Sequence, residues 1–200
     1  MLYKSNKPKT FNKILSITYL LLATAMLALS SSNTYTKENP KIEIATNMGN
    51  IRLTLLPEHA PLTVANFLQL VKERHYDGLI FHRVIANFMI QAGGYSSELE
   101  YRDSGKIVKN ESNNRLPNTR GTIAMARTSD PDSASAQFYI NVKDNKHLDY
   151  KDQTPGYTVF GFVTKGMEVI EKIELVDTHI KNGMPAVPEK PIVIISIRGI

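Results

Sequence analysis

The chain has 200 residues, 42% hydrophobic and 22% charged, enough for one domain with a real core and too few for two of ordinary size. Its formal charge of +5 is local: Lys4, Lys7, Lys9 and Lys13 lie in a first thirty residues without an acid, and of the 24 basic residues the other 20 face 19 acidic ones. A near-neutral body without a clustered basic face argues against nucleic acid as a partner, and the absence of cysteine excludes disulfides, thiolate catalysis and cysteine-ligated metal while leaving the compartment open.

Residues 1–32 have the parts of an export signal: a basic start, an apolar run from Ile14 to Leu29, and small residues around Ala28-Leu29-Ser30. The run is close to the minimum that crosses a bilayer of ~30 Å, so the alternative is an uncleaved anchor. Cleavage is favoured because the run is short and no basic stop follows it. Either way the body is expected in the periplasm, with membrane contact only through this segment. Residues 33–40 read as a polar linker, and residues 41–200 as the domain.

Within the domain, Ile42 and Ile44, then Ile51, Leu53 and Leu55, alternate with polar neighbours around Asn47-Met48-Gly49-Asn50, which predicts a hairpin with one buried face. A helix follows with Pro61 in its first turn. Its stripe is Val64, Phe67, Leu68 and Val71, and Lys72-Glu73-Arg74 is a solvated face. After the turn residues Tyr76-Asp77-Gly78, Phe81 to Ile85 reads as a strand. Tyr95 to Thr119 is a long polar loop, of the kind that is usually functional or mobile. It holds the triplet Asn110-Glu111-Ser112, a glycosylation sequon of low information. Thr122 to Arg127, Phe138 to Val142 and Thr158 to Val163 read as strands, Met167, Ile170 and Ile173 as a short helix, and Ile192 to Ile197 as a closing strand. Many short strands with close turns indicate an antiparallel barrel or sandwich, between which spacing does not choose.

The run Phe81-His82-Arg83-Val84-Ile85, then Phe88-Met89-Ile90-Gln91 and Gly93-Gly94, resembles the signature of the cyclophilin family of peptidyl-prolyl cis/trans isomerases. Gly121 to Arg127 and Ala136 to Ile140 resemble the family's next two pocket strands, and the likeness spans roughly Lys41 to Arg198. The resemblance implies a mainly β fold, a closed eight-stranded antiparallel barrel capped by two α-helices, with the groove on its outer surface because side chains fill so small a barrel. It also implies that Arg83 is the catalytic residue and that Phe88, Met89, Tyr139 and Leu148 form the proline pocket. Gln91 and the backbone near Ala126 and Arg127 would hold the peptide, with His147 and Tyr157 at the rim. No metal or cofactor is expected. The expected partners are proline-containing unfolded or exported polypeptides, met by a monomer.

Turning an X–Pro bond breaks amide resonance against a barrier of ~20 kcal/mol, with uncatalysed times of tens of seconds. Reaching about ten turnovers per second asks for roughly 4 kcal/mol. Aimed hydrogen bonds and desolvation supply that much without a covalent intermediate. A cation directed at the prolyl nitrogen, which is basic only when the amide is twisted, favours the transition state alone. The guanidinium of Arg83 has the permanent charge and rigid fork for that role.

The sequence departs from the family pattern at several positions. Ala86 stands for a proline, Arg127 for an Asn whose contribution is mainly backbone, and Tyr139 for Phe, which adds a hydroxyl expected to shift the pocket's polarity. His147 stands for the Trp and Tyr157 for the His of many eukaryotic members, as in the bacterial exported branch, and weak cyclosporin binding is expected. Two other functions compete with this reading. A hydrolase lacks its motifs here, with neither G-x-S-x-G nor H-E-x-x-H in the chain, and His82 reads as a histidine satisfied within a strand. A proline-binding chaperone module with little turnover would not need the cation at Arg83.

Overall fold

The structure is a computed structural model that describes Met1 and residues 38–200. The expected export signal and most of the linker lie outside the described residues. Strands β1 (Lys41–Thr46) and β2 (Gly49–Leu55) form the predicted hairpin, pairing Ile44 with Ile51 and Ile42 with Leu53. These four side chains are fully buried, while Glu43 and Arg52 on the opposite face pair at 2.7 Å. Helix α1 (Pro61–Lys72) begins on its proline as expected and buries Thr63, Val64, Phe67, Leu70 and Val71. Its stripe is turned from the predicted one, since Leu70 is in the core and Leu68 only packs against it.

Strands β3 (Phe81–Ile85), β4 (Met89–Ala92), β5 (Thr122–Met125), β6 (Phe138–Asn141) and β7 (Val159–Lys165) follow, then helix α2 (Met167–Glu174), with Val169, Ile170 and Ile173 buried. Strands β8 (Thr178–Lys181) and β9 (Met184–Pro188) form a separate hairpin, and β10 (Ile194–Gly199) closes the chain. Eight strands make one antiparallel sheet in the order β10-β1-β2-β7-β5-β6-β4-β3. Its two ends meet without a full ladder. An Ile80–Val193 bridge and the bonds Gly78 N–H to Ile194 O (2.9 Å), Ile194 N–H to Leu79 O (2.8 Å) and Phe81 N–H to Ile192 O (2.9 Å) join them. The Asp77 carboxylate, bound through both oxygens by Arg198 at 2.9 and 2.6 Å, reinforces the seam.

The β8–β9 hairpin was not anticipated, because β8 is largely exposed and has no buried face to betray it. Its signal is Asn182-Gly183, whose φ angles of +52° and +78° are those of a two-residue hairpin turn.

The loop from Tyr95 to Thr119 is anchored to the body. Glu111 accepts the backbone N–H groups of Leu62 (3.0 Å) and Thr63 (2.8 Å) and the Thr63 hydroxyl (2.7 Å), so the loop caps α1, which has no side-chain cap of its own. The Asn110 amide donates to Gly156 O at 3.0 Å and Ser112 is buried, so the sequon residues are structural.

The main core fills the barrel between α1 and α2 with Phe67, Phe81, Phe138, Phe160 and the strand aliphatics. A second, smaller cluster of Met89, Ala124, Tyr139 and Val159 lies on the opposite face of the sheet. Alternation along β4 and β6 explains the pair: Ile90, Ala92, Phe138 and Ile140 belong to the first cluster, Met89 and Tyr139 to the second.

Candidate active site

Arg83 faces the second cluster because β3 carries a bulge. The register steps from Phe81↔Ala92 to Arg83↔Gln91, leaving His82 as the extra residue. Were His82 a regular member of the ladder, strict alternation would send Arg83 to the same face as Phe81, into the barrel. The bulge returns Val84 to the core and turns Arg83 outward. From there one row crosses the sheet: Arg83 opposite Gln91 on β4, Gln91 opposite Tyr139 on β6, and Tyr139 opposite Ala124 on β5.

On that face lies a cleft of about 100 Å³ lined by Arg83, Phe88, Met89, Gln91, Ala126, Arg127, Tyr139, Leu148 and Tyr157. Nine of the ten residues singled out in the sequence thus meet at one surface. The tenth, His147, stands outside the cleft, with its ring stacked on Phe88 at 5.6 Å between centroids and 24° between planes. It lines a neighbouring hollow of about 300 Å³ that shares Arg127, Leu148 and Tyr157 with the cleft.

Arg83 is half-buried, and its Nη1 donates to Gln91 Oε1 across a long 3.4 Å. Among the described residues no carboxylate pairs with it, which removes the alternative of a structural ion pair. Gln91 in turn donates to Gln137 Oε1 at 2.9 Å. Gly94 makes room for that partner, since a Cβ there would sit 2.6 Å from the Gln137 side chain. Gln137 is a support that the sequence reading missed.

The Tyr139 hydroxyl does not shift the polarity of the cleft. It points away and donates to Asn118 Oδ1 at 2.7 Å, and burial pushes its pKa up, so the ring is a neutral floor. Arg127 contributes a side chain as well as backbone. Its guanidinium lies 4.5 Å from the Tyr157 ring centre and donates to Thr128 O (2.8 Å), Pro155 O (3.0 Å) and Gly156 O (3.3 Å). This staple holds Tyr157 against the cleft. Gly156 permits the close fold beneath it, as a Cβ would lie 2.5 Å from Leu148 O.

His82 is buried against Tyr95, at 4.7 Å between ring centroids, with Nδ1 unpartnered. It is therefore not fully satisfied, as the sequence reading had it. Burial lowers its pKa to about 4, so it is a neutral imidazole. The described residues contain no group of three or more His, Cys, Asp or Glu able to hold a metal ion. What the cleft offers is an apolar floor, a fixed cation with most of its five N–H groups free, and an amide beside it. That equipment suits polarisation of a bound neutral group.

Residues 41–198 match the family described as cyclophilin type peptidyl-prolyl cis-trans isomerase. The chain belongs to the cyclophilin family. It is 48% identical over 160 residues to a peptidyl-prolyl cis-trans isomerase of Acinetobacter baylyi, covering 80% of this chain and 85% of the relative. It is 50% identical over 155 residues to peptidyl-prolyl cis-trans isomerase A of Dickeya dadantii, covering 78% and 82%. A crystal structure of a Cryptosporidium parvum cyclophilin type isomerase, in the presence of the dipeptide Ala-Pro, superposes with a TM-score of 0.66 at 26% identity over 78% of this chain and 96% of that one. This cyclophilin is a peptidyl-prolyl cis/trans isomerase.

Proposed function

We propose that this cyclophilin turns X–Pro bonds at the Arg83 cleft, and that its substrates are polypeptides in the course of folding after export. The observation that carries the assignment of the cleft is the Arg83 guanidinium, free of any carboxylate among the described residues and facing an apolar floor. The prolyl ring seats on Phe88, Met89, Tyr139 and Leu148, and Gln91 with the backbone at Ala126 and Arg127 holds the flanking chain. As the amide twists, its nitrogen gains a lone pair and accepts from Arg83. Planar amide gains nothing from that donor, so the interaction lowers the barrier without tightening the ground state. The apolar floor adds to this by withholding the solvation that favours the planar, charge-separated form. The relative crystallised in the presence of Ala-Pro supports the same class of ligand.

Export rests on the four lysines before an apolar run. Turnover at the cleft is tested by adding catalytic amounts of the full chain to an X–Pro peptide and measuring cis/trans exchange by NMR, with and without a competing prolyl dipeptide. Exchange suppressed by the competitor, and a competitor that shifts the Phe88 and Tyr139 resonances, supports the assignment. Exchange with those resonances unmoved would place the reaction elsewhere.

A further inference from the structure

Beneath the cleft lies a buried set of amides that the reaction itself does not use. Asn118, Asn141 and Asn145 are each at most 1% exposed. Asn118 is the hub. Its Oδ1 accepts the Tyr139 hydroxyl at 2.7 Å and the Asn141 amide at 3.3 Å. Its backbone N–H and its Nδ2 both donate to Asp149 Oδ1, at 2.6 and 3.1 Å. Its carbonyl accepts the Asn145 N–H at 2.8 Å, and Asn145 Nδ2 donates to Phe88 O at 2.8 Å and to Asn141 Oδ1 at 2.7 Å.

Each of these paths ends on a wall of the cleft. Tyr139 is the floor, Asp149 directly follows Leu148, and Phe88 is the wall on which His147 stacks. A barrel needs no such device for its own closure, since the main core is apolar and lies on the other face of the sheet. The network is also held at a cost: Asn145 Oδ1 is buried without a partner, a condition that native interiors seldom keep.

We infer that Asn118 is a positioning residue of the proline cleft, a single buried amide that sets the Tyr139 floor, the Leu148 wall and the Phe88 wall relative to one another. The inference rests on the reading of this cleft as the proline site. A cleft of about 100 Å³ has little slack, and displacements near 1 Å in such sites cost up to about a hundredfold in rate. The walls touch the prolyl ring in the planar and the twisted states alike, so disturbing them weakens uniform binding and raises KM. Removing Arg83 acts on the twisted state and lowers kcat. The two kinds of residue are therefore separable by kinetics.

The test compares the full chain with Asn118→Leu, Asn118→Leu/Tyr139→Phe, Asn118→Asp and Phe88→Ala, on one X–Pro peptide, well below each melting temperature. Asn118→Leu is expected to raise KM about tenfold with kcat held within about threefold. The double variant removes the hydroxyl that the first change orphans, and is expected to recover part of the loss. A folded Asn118→Leu with the KM of the unaltered chain would overturn the inference. Should that variant fail to fold, Asn118→Asp keeps the acceptor for Tyr139 but sets a carboxylate against Asp149, so its KM is expected to rise with pH relative to that of the unaltered chain. A pH profile parallel to the unaltered chain's would overturn the inference equally. Phe88→Ala probes the cleft itself. If it leaves KM unchanged, the cleft reading fails and the inference with it; if it raises KM while Asn118→Leu does not, only the inference about Asn118 fails.

Discussion

Arg83 and Gln91 stand opposite each other on neighbouring strands, joined across the sheet by a bond of 3.4 Å. The bond is long for a charged donor, whose partners usually lie at about 2.7–2.9 Å. Gln91 is committed more tightly to Gln137, at 2.9 Å. Gln91 therefore steadies the guanidinium without saturating it, and the cation keeps donors for an incoming group.

His82 links the pH dependence of stability to the bulge that aims Arg83. Its folded pKa of about 4 lies below the unfolded value of about 6.5, so the folded state binds fewer protons between them. The associated stability is full above pH ~6.5 and is lost as pH falls toward 4, by about 3 kcal/mol at most. Urea unfolding from pH 7 to 4 is expected to show that decline, and His82→Gln to flatten it. An equal slope in the variant would assign the acid sensitivity to other groups.

Glu111 closes the long loop onto the start of α1 through three bonds. Glu111→Ala leaves two backbone N–H groups and the hydroxyl of the buried Thr63 without that partner, an expected loss of about 2 kcal/mol. At about 2–4 °C per kcal/mol for a domain of this size, the melting temperature is expected to fall by roughly 4–8 °C. A shift below one degree would mean that water replaces the cap.

The stacking of His147 on Phe88 bears on cyclosporin. A Trp at this position would bury several tens of Å² more apolar area against the drug, worth about 1–2 kcal/mol, and its N–H adds about 1 kcal/mol. His147→Trp is expected to tighten inhibition by one to two orders of magnitude, at about 1.4 kcal/mol per decade. Turnover changes little, because the cleft lining excludes residue 147. An unaltered chain already inhibited at nanomolar drug, or a Trp variant with no gain, would contradict this.

Residues 1–40, fused to a reporter active only outside the cytosol, are expected to carry it across the inner membrane. A reporter retained in the cytosol would reject export. N-terminal sequencing of the mature chain then separates cleavage near Ser30 from anchoring.

Much of the fold was legible because burial writes itself into periodicity. Ile42, Ile44, Ile51 and Leu53 alternate in the sequence and are all fully buried in the hairpin, and Met167 to Ile173 marks α2 in the same way. Where burial is absent the pattern is silent, as at β8, and only Asn182-Gly183 betrayed the turn. The cleft was legible through the family signature, not through chemistry: Phe88 and Met89 taken singly read as core. Its supports were not legible. Asn118, Gln137 and Asn145 are polar residues of loops and loop edges, and only the folded chain brings them under residues far away in sequence. The Tyr139 hydroxyl misled for the same reason, since its partner lies 21 positions distant.

The action of Arg83 in the twisted state is tested most directly by the kinetics of its variants. With an X–Pro peptide, Arg83→Ala is expected to lower kcat by ~10²-fold or more, the usual loss for a preorganised donor, with KM little changed and circular dichroism unaltered. Arg83→Lys is expected to recover little, since an ammonium does not reproduce the fork. A folded Arg83→Ala that turns the peptide over at close to the original kcat would contradict the account.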